Sequence, residues 1–157
     1  MLVKYYGNRN FTSKLIFHVS MPKPFRLAEQ YLIRAEAYCR KNDFTKAGND
    51  LTALRKMRYA SGGTLNVSKN NWLQTISDER VRELYMEGFR LHDLKRWGKE
   101  YADLNGGYSI RRTPQSCSQP EGSSLKIEAD NPLFVWPIPQ HELEAPGSEI
   151  LPNESNR

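Results

Sequence analysis

The stretch from Ile76 to Gly98, I-S-D-E-R-V-R-E-L-Y-M-E-G-F-R-L-H-D-L-K-R-W-G, constrains this chain most. Carboxylates and guanidiniums interleave along it and run into a Trp-Gly stop. On a helix, Ile76, Arg80, Glu83, Glu87, Arg90 and Leu94 step by three or four and share one face. A mixed-charge ladder that ends on bulky apolar groups reads as a built-in network rather than a solvated surface. The spacing therefore predicts one long helix from about Asn71 to Trp97. Arg80, Glu83, Glu87, Arg90 and Asp93 are expected to form a structural network, at least partly buried. Asn71 and Gln74 resemble the start of a capping box, and Gly88 is the weak point of the helix.

Upstream, residues 26–58 read as a helical hairpin. Leu27, Tyr31, Ala35 and Tyr38 make one helical row, and Ala28, Leu32, Ala35 and Cys39 the next. Asn42-Asp43 breaks the pattern, and Ala47, Leu51 and Leu54 continue it on a second helix from about Thr45 to Met57. A short link between two amphipathic helices implies an antiparallel pair. The run Arg34 to Phe44 resembles a tetratricopeptide unit, with small Ala35 and Ala47 letting the backbones approach. One such unit cannot cover both of its faces alone. Part of that open face is expected at Tyr31, Tyr38 and Leu51, with neighbouring helices lying elsewhere.

The flanks are less regular. Residues 1–25 form a strand and loop entry, with strand-like Leu2–Tyr6 and Lys14–Val19 about the turn Gly7-Asn8-Arg9-Asn10. Residues 103–132 read as a loop, rich in Gly, Ser and Pro. Leu133 to Trp136 reads as a short apolar strand stopped by Pro137 and Pro139, followed by a brief helical turn. The loop and this C-terminal Pro-Ile-Pro element together span 103–157.

Three blocks of residues resemble the SusD/RagB family of nutrient-binding outer-membrane lipoproteins. Glu79, Arg80, Glu83, Leu84, Glu87, Gly88, Arg90, Asp93, Leu94, Arg96, Trp97 and Gly98 match one family signature. Arg26, Leu27, Ala28, Glu29, Tyr31–Tyr38, then Leu51, Leu54, Arg55 and Arg58, match a second. Thr52 replaces the usual Asn there, and Arg58 comes one residue late. Pro137, Ile138, Pro139, Glu142 and Leu143 match a third. The resemblance implies a mainly α, SusD-like fold with a tetratricopeptide-like hairpin, long loops and few strands, of which residues 1–157 are read as the C-terminal portion. It implies non-catalytic capture of an oligosaccharide or peptide at the bacterial cell surface. Such proteins sit on a TonB-dependent transporter of the SusC type and are tethered to the outer membrane through a lipid anchor, which this sequence does not show. The alternative is a tetratricopeptide-like module that binds other proteins.

Composition agrees with a binding protein and excludes several other classes. The chain has 157 residues, enough for a sizeable core. Its mean hydropathy is −0.72, but 3 Trp, 8 Tyr and 6 Phe argue against disorder. The net charge of +5 does not imply nucleic acid, because the basic residues alternate with acids. The purest basic run, Arg55-Lys56-Met57-Arg58, falls at a helix C-terminus, where cations favour the dipole.

Glu83 and Glu87 stand at the spacing of a carboxylate pair, but Arg80 and Arg90 a turn away are expected to neutralise them, which is wrong for a general acid. His18, His92 and His141 lack metal-site spacing. No phosphate-binding glycine loop or nucleophile elbow is present, so no cofactor is implied. Cys39 falls on an apolar helical row, while Cys117 lies in the Pro/Ser-rich loop. Aromatic side chains remain as sugar platforms. Trp97 and Trp136 read as core, which leaves Tyr108 and Trp72 as the ligand-binding candidates.

Overall fold

In a computed structural model, residues 24–111, 126–153 and 155 are described. The strand and loop entry read in residues 1–25, and Cys117, lie almost wholly outside these. The described chain is mainly helical: α1 (Leu27–Arg40), α2 (Phe44–Lys56), α3 (Trp72–Glu83), α4 (Phe89–Leu104), β1 (Tyr108–Arg111), β2 (Lys126–Glu128), a 3-10 turn (Pro132–Phe134) and α5 (Gln140–Leu143).

Helices α1 and α2 pack along one another across a three-residue link, which forces the chain to reverse. The link is specified locally. Asn42 takes the left-handed conformation (φ 60°), which closes α1, and its N–H bonds to Cys39 O at 2.9 Å. Asp43 then caps α2, accepting from Lys46 N–H at 3.2 Å. Ala35 and Ala47 are fully buried between the helices, with Leu32 and Leu51 beside them. Burying each leucine contributes about 1.5–3 kcal/mol. Leu51 is therefore core and does not belong to an open face, whereas Tyr31 and Tyr38 are half-buried. Exposed apolar surface lies instead at Phe25, Leu27 and Ile33.

Residues 57–71 return across the hairpin. Leu65 N–H donates to Thr52 Oγ1 at 3.1 Å, so the threonine that departs from the family pattern anchors this loop. Asn71 does not form a capping box with Gln74. Its Oδ1 accepts from Ser68 N–H at 2.7 Å and its Nδ2 donates to Asn66 O at 3.1 Å, while Gln74 bonds Asp78. Asn71 thus fastens the loop rather than the helix.

The expected single helix from Asn71 to Trp97 is two. α3 stops at Glu83, Met86 and Gly88 adopt positive φ (60° and 83°), and α4 starts at Phe89. Gly98 is not a stop either: at φ 50°, ψ −128°, a region open to glycine, it kinks α4, which resumes to Leu104. Leu73, Ile76, Leu94, Trp97 and Tyr101 join the hairpin leucines in one core.

Residues 103–132 are not all loop, since β1 and β2 pair antiparallel with an irregularity between Tyr108 and Ile110. The apolar strand expected at 133–136 is a 3-10 turn followed by a bend and irregular chain. Pro132, Pro137 and Pro139 withhold ladder donors on both sides of it. Among the described residues, no helix is long and apolar enough to cross a membrane.

Candidate functional site: an arginine–carboxylate framework

The ladder residues do come together, but with partners from the hairpin. Arg26, the residue before α1, grips the break between α3 and α4. Its Nη1 donates to Glu83 Oε1 at 2.7 Å, and its Nη2 and Nε to the two Glu87 carboxylate oxygens at 2.8 and 3.1 Å. Nη2 also donates to the Glu83 carbonyl at 2.8 Å. In an unbroken helix that carbonyl would accept the Glu87 N–H. Here the Glu87 N–H turns to Leu84 O at 3.1 Å, and a guanidinium occupies the helix C-terminus, where a cation is favoured. Arg58 binds the other side of Glu83 at 2.8 and 2.9 Å.

A second cluster joins α1, α3 and α4. Arg80 Nε donates to Asp93 at 2.7 Å, with both side chains buried. Arg96 bridges Asp93 (3.0 Å) to Glu36, which it holds with two bonds of 2.6 Å. Trp97 Nε1 donates to the same Glu36 at 3.0 Å. Glu79 takes Arg55 and Arg82, each at 2.6 Å.

Arg80 and Arg90 therefore do not neutralise Glu83 and Glu87, as the helical spacing implied. The break at 84–88 ends the three-four stepping. Arg90 donates instead to Ser77 Oγ and Tyr101 Oη, both at 2.8 Å. The basic run at the end of α2 does more than complement a dipole, because Arg55 and Arg58 hold Glu79 and Glu83. Sequence spacing within one helix could not reveal partners 24 to 61 residues away.

The two aromatic candidates lie apart from this framework and from each other. Tyr108 opens β1, half-buried, with Lys126 Nζ 5.0 Å from its ring centroid. Trp72 opens α3, half-buried, with the Arg40 guanidinium 5.0 Å above it. Of the two tryptophans read as core, Trp97 is buried and stacks on Tyr101 at 5.7 Å. Trp136 is 83% exposed, since the proline-bounded segment carrying it forms no strand to bury it.

The SusD family model matches residues 5–148. The chain belongs to the SusD family. The starch-binding protein SusD of Bacteroides thetaiotaomicron is 37% identical to it over 101 residues. That match covers 62% of this chain and 17% of the relative, so the chain spans only a small part of that protein's length. No solved structure matches it.

In this SusD-family chain the framework holds Glu36 and Glu83 below their ordinary values. Burial alone would push the Glu36 carboxyl up, but the bonds from Arg96 and Trp97 and the charges of Arg96 and Arg40 outweigh it, and the group lies below its ordinary value. Burial likewise opposes, and Arg58 and Arg26 overcome, the shift at Glu83, which also ends low. Burial pushes the Cys39 thiol up to about 11. Arg80 contributes to the lining of two clefts. One, of about 390 Å³, is lined by Leu84, Tyr85, Met86 and Phe89 among others. The other, of about 420 Å³, is lined by Glu29, Ile33, Glu36, Arg40 and Arg96. Among the described residues, no group of three or more His, Cys, Asp or Glu side chains could hold a metal ion.

Proposed function

We propose that the protein captures oligosaccharide at the bacterial cell surface, leaves it chemically unchanged, and passes it to a TonB-dependent outer-membrane transporter of the SusC type. The observation that carries this reading is the family match over residues 5–148, joined to a relative whose name is starch-binding protein. The carboxylates add to it. A glycosidase needs one carboxylic acid that stays protonated near neutral pH. Glu36 and Glu83 are held the other way, by arginine. The cell-surface location and the transporter come with the family and are part of the proposal.

Flat aromatic faces suit the C–H faces of pyranose rings, so Tyr108, Trp72 and the exposed Trp136 are the side chains to test. A glycan array probed with the purified protein checks the reading. Retention of α-glucans or another oligosaccharide class, weakened by at least one of Tyr108→Ala, Trp72→Ala and Trp136→Ala, is expected. Silence across the array would overturn it.

A further inference from the structure

Of the chain's asparagines, only Asn105 is followed by glycine. In such a pair the backbone nitrogen after the asparagine has no adjoining side chain to shield it, so it can reach the asparagine's own carboxamide. The pair lies where α4 gives way to β1. Asn105 is half-buried, and Gly106 and Gly107 are exposed. The fold asks for all three residues. Gly106 and Gly107 take φ 70° and 90°, a region that strains other L residues. Asn105 Nδ2 donates to Tyr108 O at 2.8 Å, which fastens the first residue of β1 to the end of α4.

The same geometry holds the pair unreactive. Ring closure needs the Gly106 nitrogen on the side of the Asn105 Cβ, and at ψ 28° it stands on the far side. The bond to Tyr108 O fixes the side chain, and the N–H groups of Asn105 and Gly107 donate to Ala102 O at 2.9 and 2.8 Å. Reaction therefore requires the turn to open. A surface turn built on two glycines belongs to the low-stability end of a fold.

We propose that Asn105-Gly106 is a self-modification site gated by the turn between α4 and β1. When the turn opens, the Gly106 nitrogen gives up its proton and bonds to Asn105 Cγ. The Cγ–Nδ2 bond breaks, and ammonia leaves with that proton, closing a five-membered succinimide. Solvent water then adds to either ring carbonyl and breaks its bond to the Gly106 nitrogen, which regains a proton. Aspartate or isoaspartate is left at 105. Neither has the Nδ2 donor. A carboxylate then faces Tyr108 O, acceptor against acceptor, and the start of β1 is released.

Incubation of the full chain at mildly alkaline pH, folded and in guanidinium chloride, tests this. Peptide mass mapping locates each lost amide, and isoaspartyl methyltransferase detects isoaspartate. Asn105 should convert ahead of Asn42 and Asn70, which are exposed but followed by Asp43 and Asn71. It should convert at least about tenfold more slowly in the folded chain. A Cβ at Gly107 meets nothing within 4 Å, so Gly107→Ala acts through backbone strain and should raise the folded rate at Asn105 about fivefold. In denaturant, Gly106→Ala should slow conversion about tenfold, because its methyl shields the nitrogen. Asn105→Asp, one of the two products, should quicken amide exchange in β1 and leave α1 and α2 unchanged. Equal rates in the folded and denatured chain, or loss spread evenly over Asn42, Asn70 and Asn105, would overturn the proposal. So would indifference to Gly107→Ala or Gly106→Ala, or unchanged β1 exchange in Asn105→Asp.

Discussion

Replacing Arg26 with Met removes the clasp between the hairpin and the break in the signature segment. Arg26 makes four hydrogen bonds across 57 to 61 residues of chain, three to carboxylate oxygens and one to the Glu83 carbonyl. Its side chain is 17% exposed, and those of Glu83 and Glu87 are 10% and 11% exposed. Removing one partner of a fully buried pair costs about 3–5 kcal/mol, because the other charge is left unpaired. Two features put this site at the low end. Some solvent reaches Arg26, and Glu83 keeps Arg58. We therefore expect about 3 kcal/mol, from the lost bonds to Glu83 and Glu87 and the uncapped end of α3. For a chain of this size that lowers Tm by roughly 6–12 °C. Urea unfolding measures it directly, as a lower midpoint at unchanged slope. Arg26→Lys should recover less than half, since an ammonium cannot reproduce the fork. Pairing Arg26→Met with Glu87→Gln should cost clearly less than the two single changes added together. A loss below about 0.5 kcal/mol for Arg26→Met, the range of ordinary surface substitutions, would refute the clasp.

Three further outcomes follow from the same contacts. Ala35→Leu should overpack the fully buried contact with α2 and cost about 1–3 kcal/mol in urea unfolding, and an unchanged midpoint would deny the close approach. Glu36 and Glu83 have folded values lowered from 4.5, so their contribution is complete above that value and is lost as pH falls through the lower, folded value. Stability should accordingly be level above about pH 6 and decline in acid, and the gap between wild type and Glu36→Gln should close there; a gap that persists in strong acid counts against the assignment. Cys39, 2% exposed with its thiol pushed up to about 11, should resist alkylation until the chain unfolds, so equal labelling rates with and without urea would contradict its burial.

The parts of this fold that were legible in the sequence are those set by local periodicity. The rows through Ala28, Leu32, Ala35 and Cys39 are buried, and the helical character of 27–56 follows from them. The family was legible because the signature between Glu79 and Gly98 combines many residue types at fixed spacing. The break at 84–88 was not. Periodicity runs straight through it, and only Gly88 hinted at a weakness; the group that takes up the freed Glu83 carbonyl is Arg26, some 57 residues earlier. Trp136 was misread for a related reason. Aromatic content suggested a core strand, but prolines at 132, 137 and 139 leave too few donors for a ladder. The pairing of Tyr108 with Glu128 crosses a Ser- and Pro-rich stretch that carries no hairpin turn signal of fixed length. Binding aromatics were not separable from packing ones, because a stacking aromatic and a packing aromatic have the same local sequence signature.

The central claim is that this chain binds a glycan through aromatic surface while its buried acids serve the fold. Calorimetric titration with the best oligosaccharide from the array, followed by mass analysis of the recovered ligand, tests it most directly, on wild type and on Glu83→Gln. The account predicts reversible binding, ligand returned at its original length, and a Glu83→Gln protein that melts earlier yet binds with unchanged affinity while folded. Shortened oligosaccharide from the wild type, abolished by Glu83→Gln without loss of stability, would contradict it.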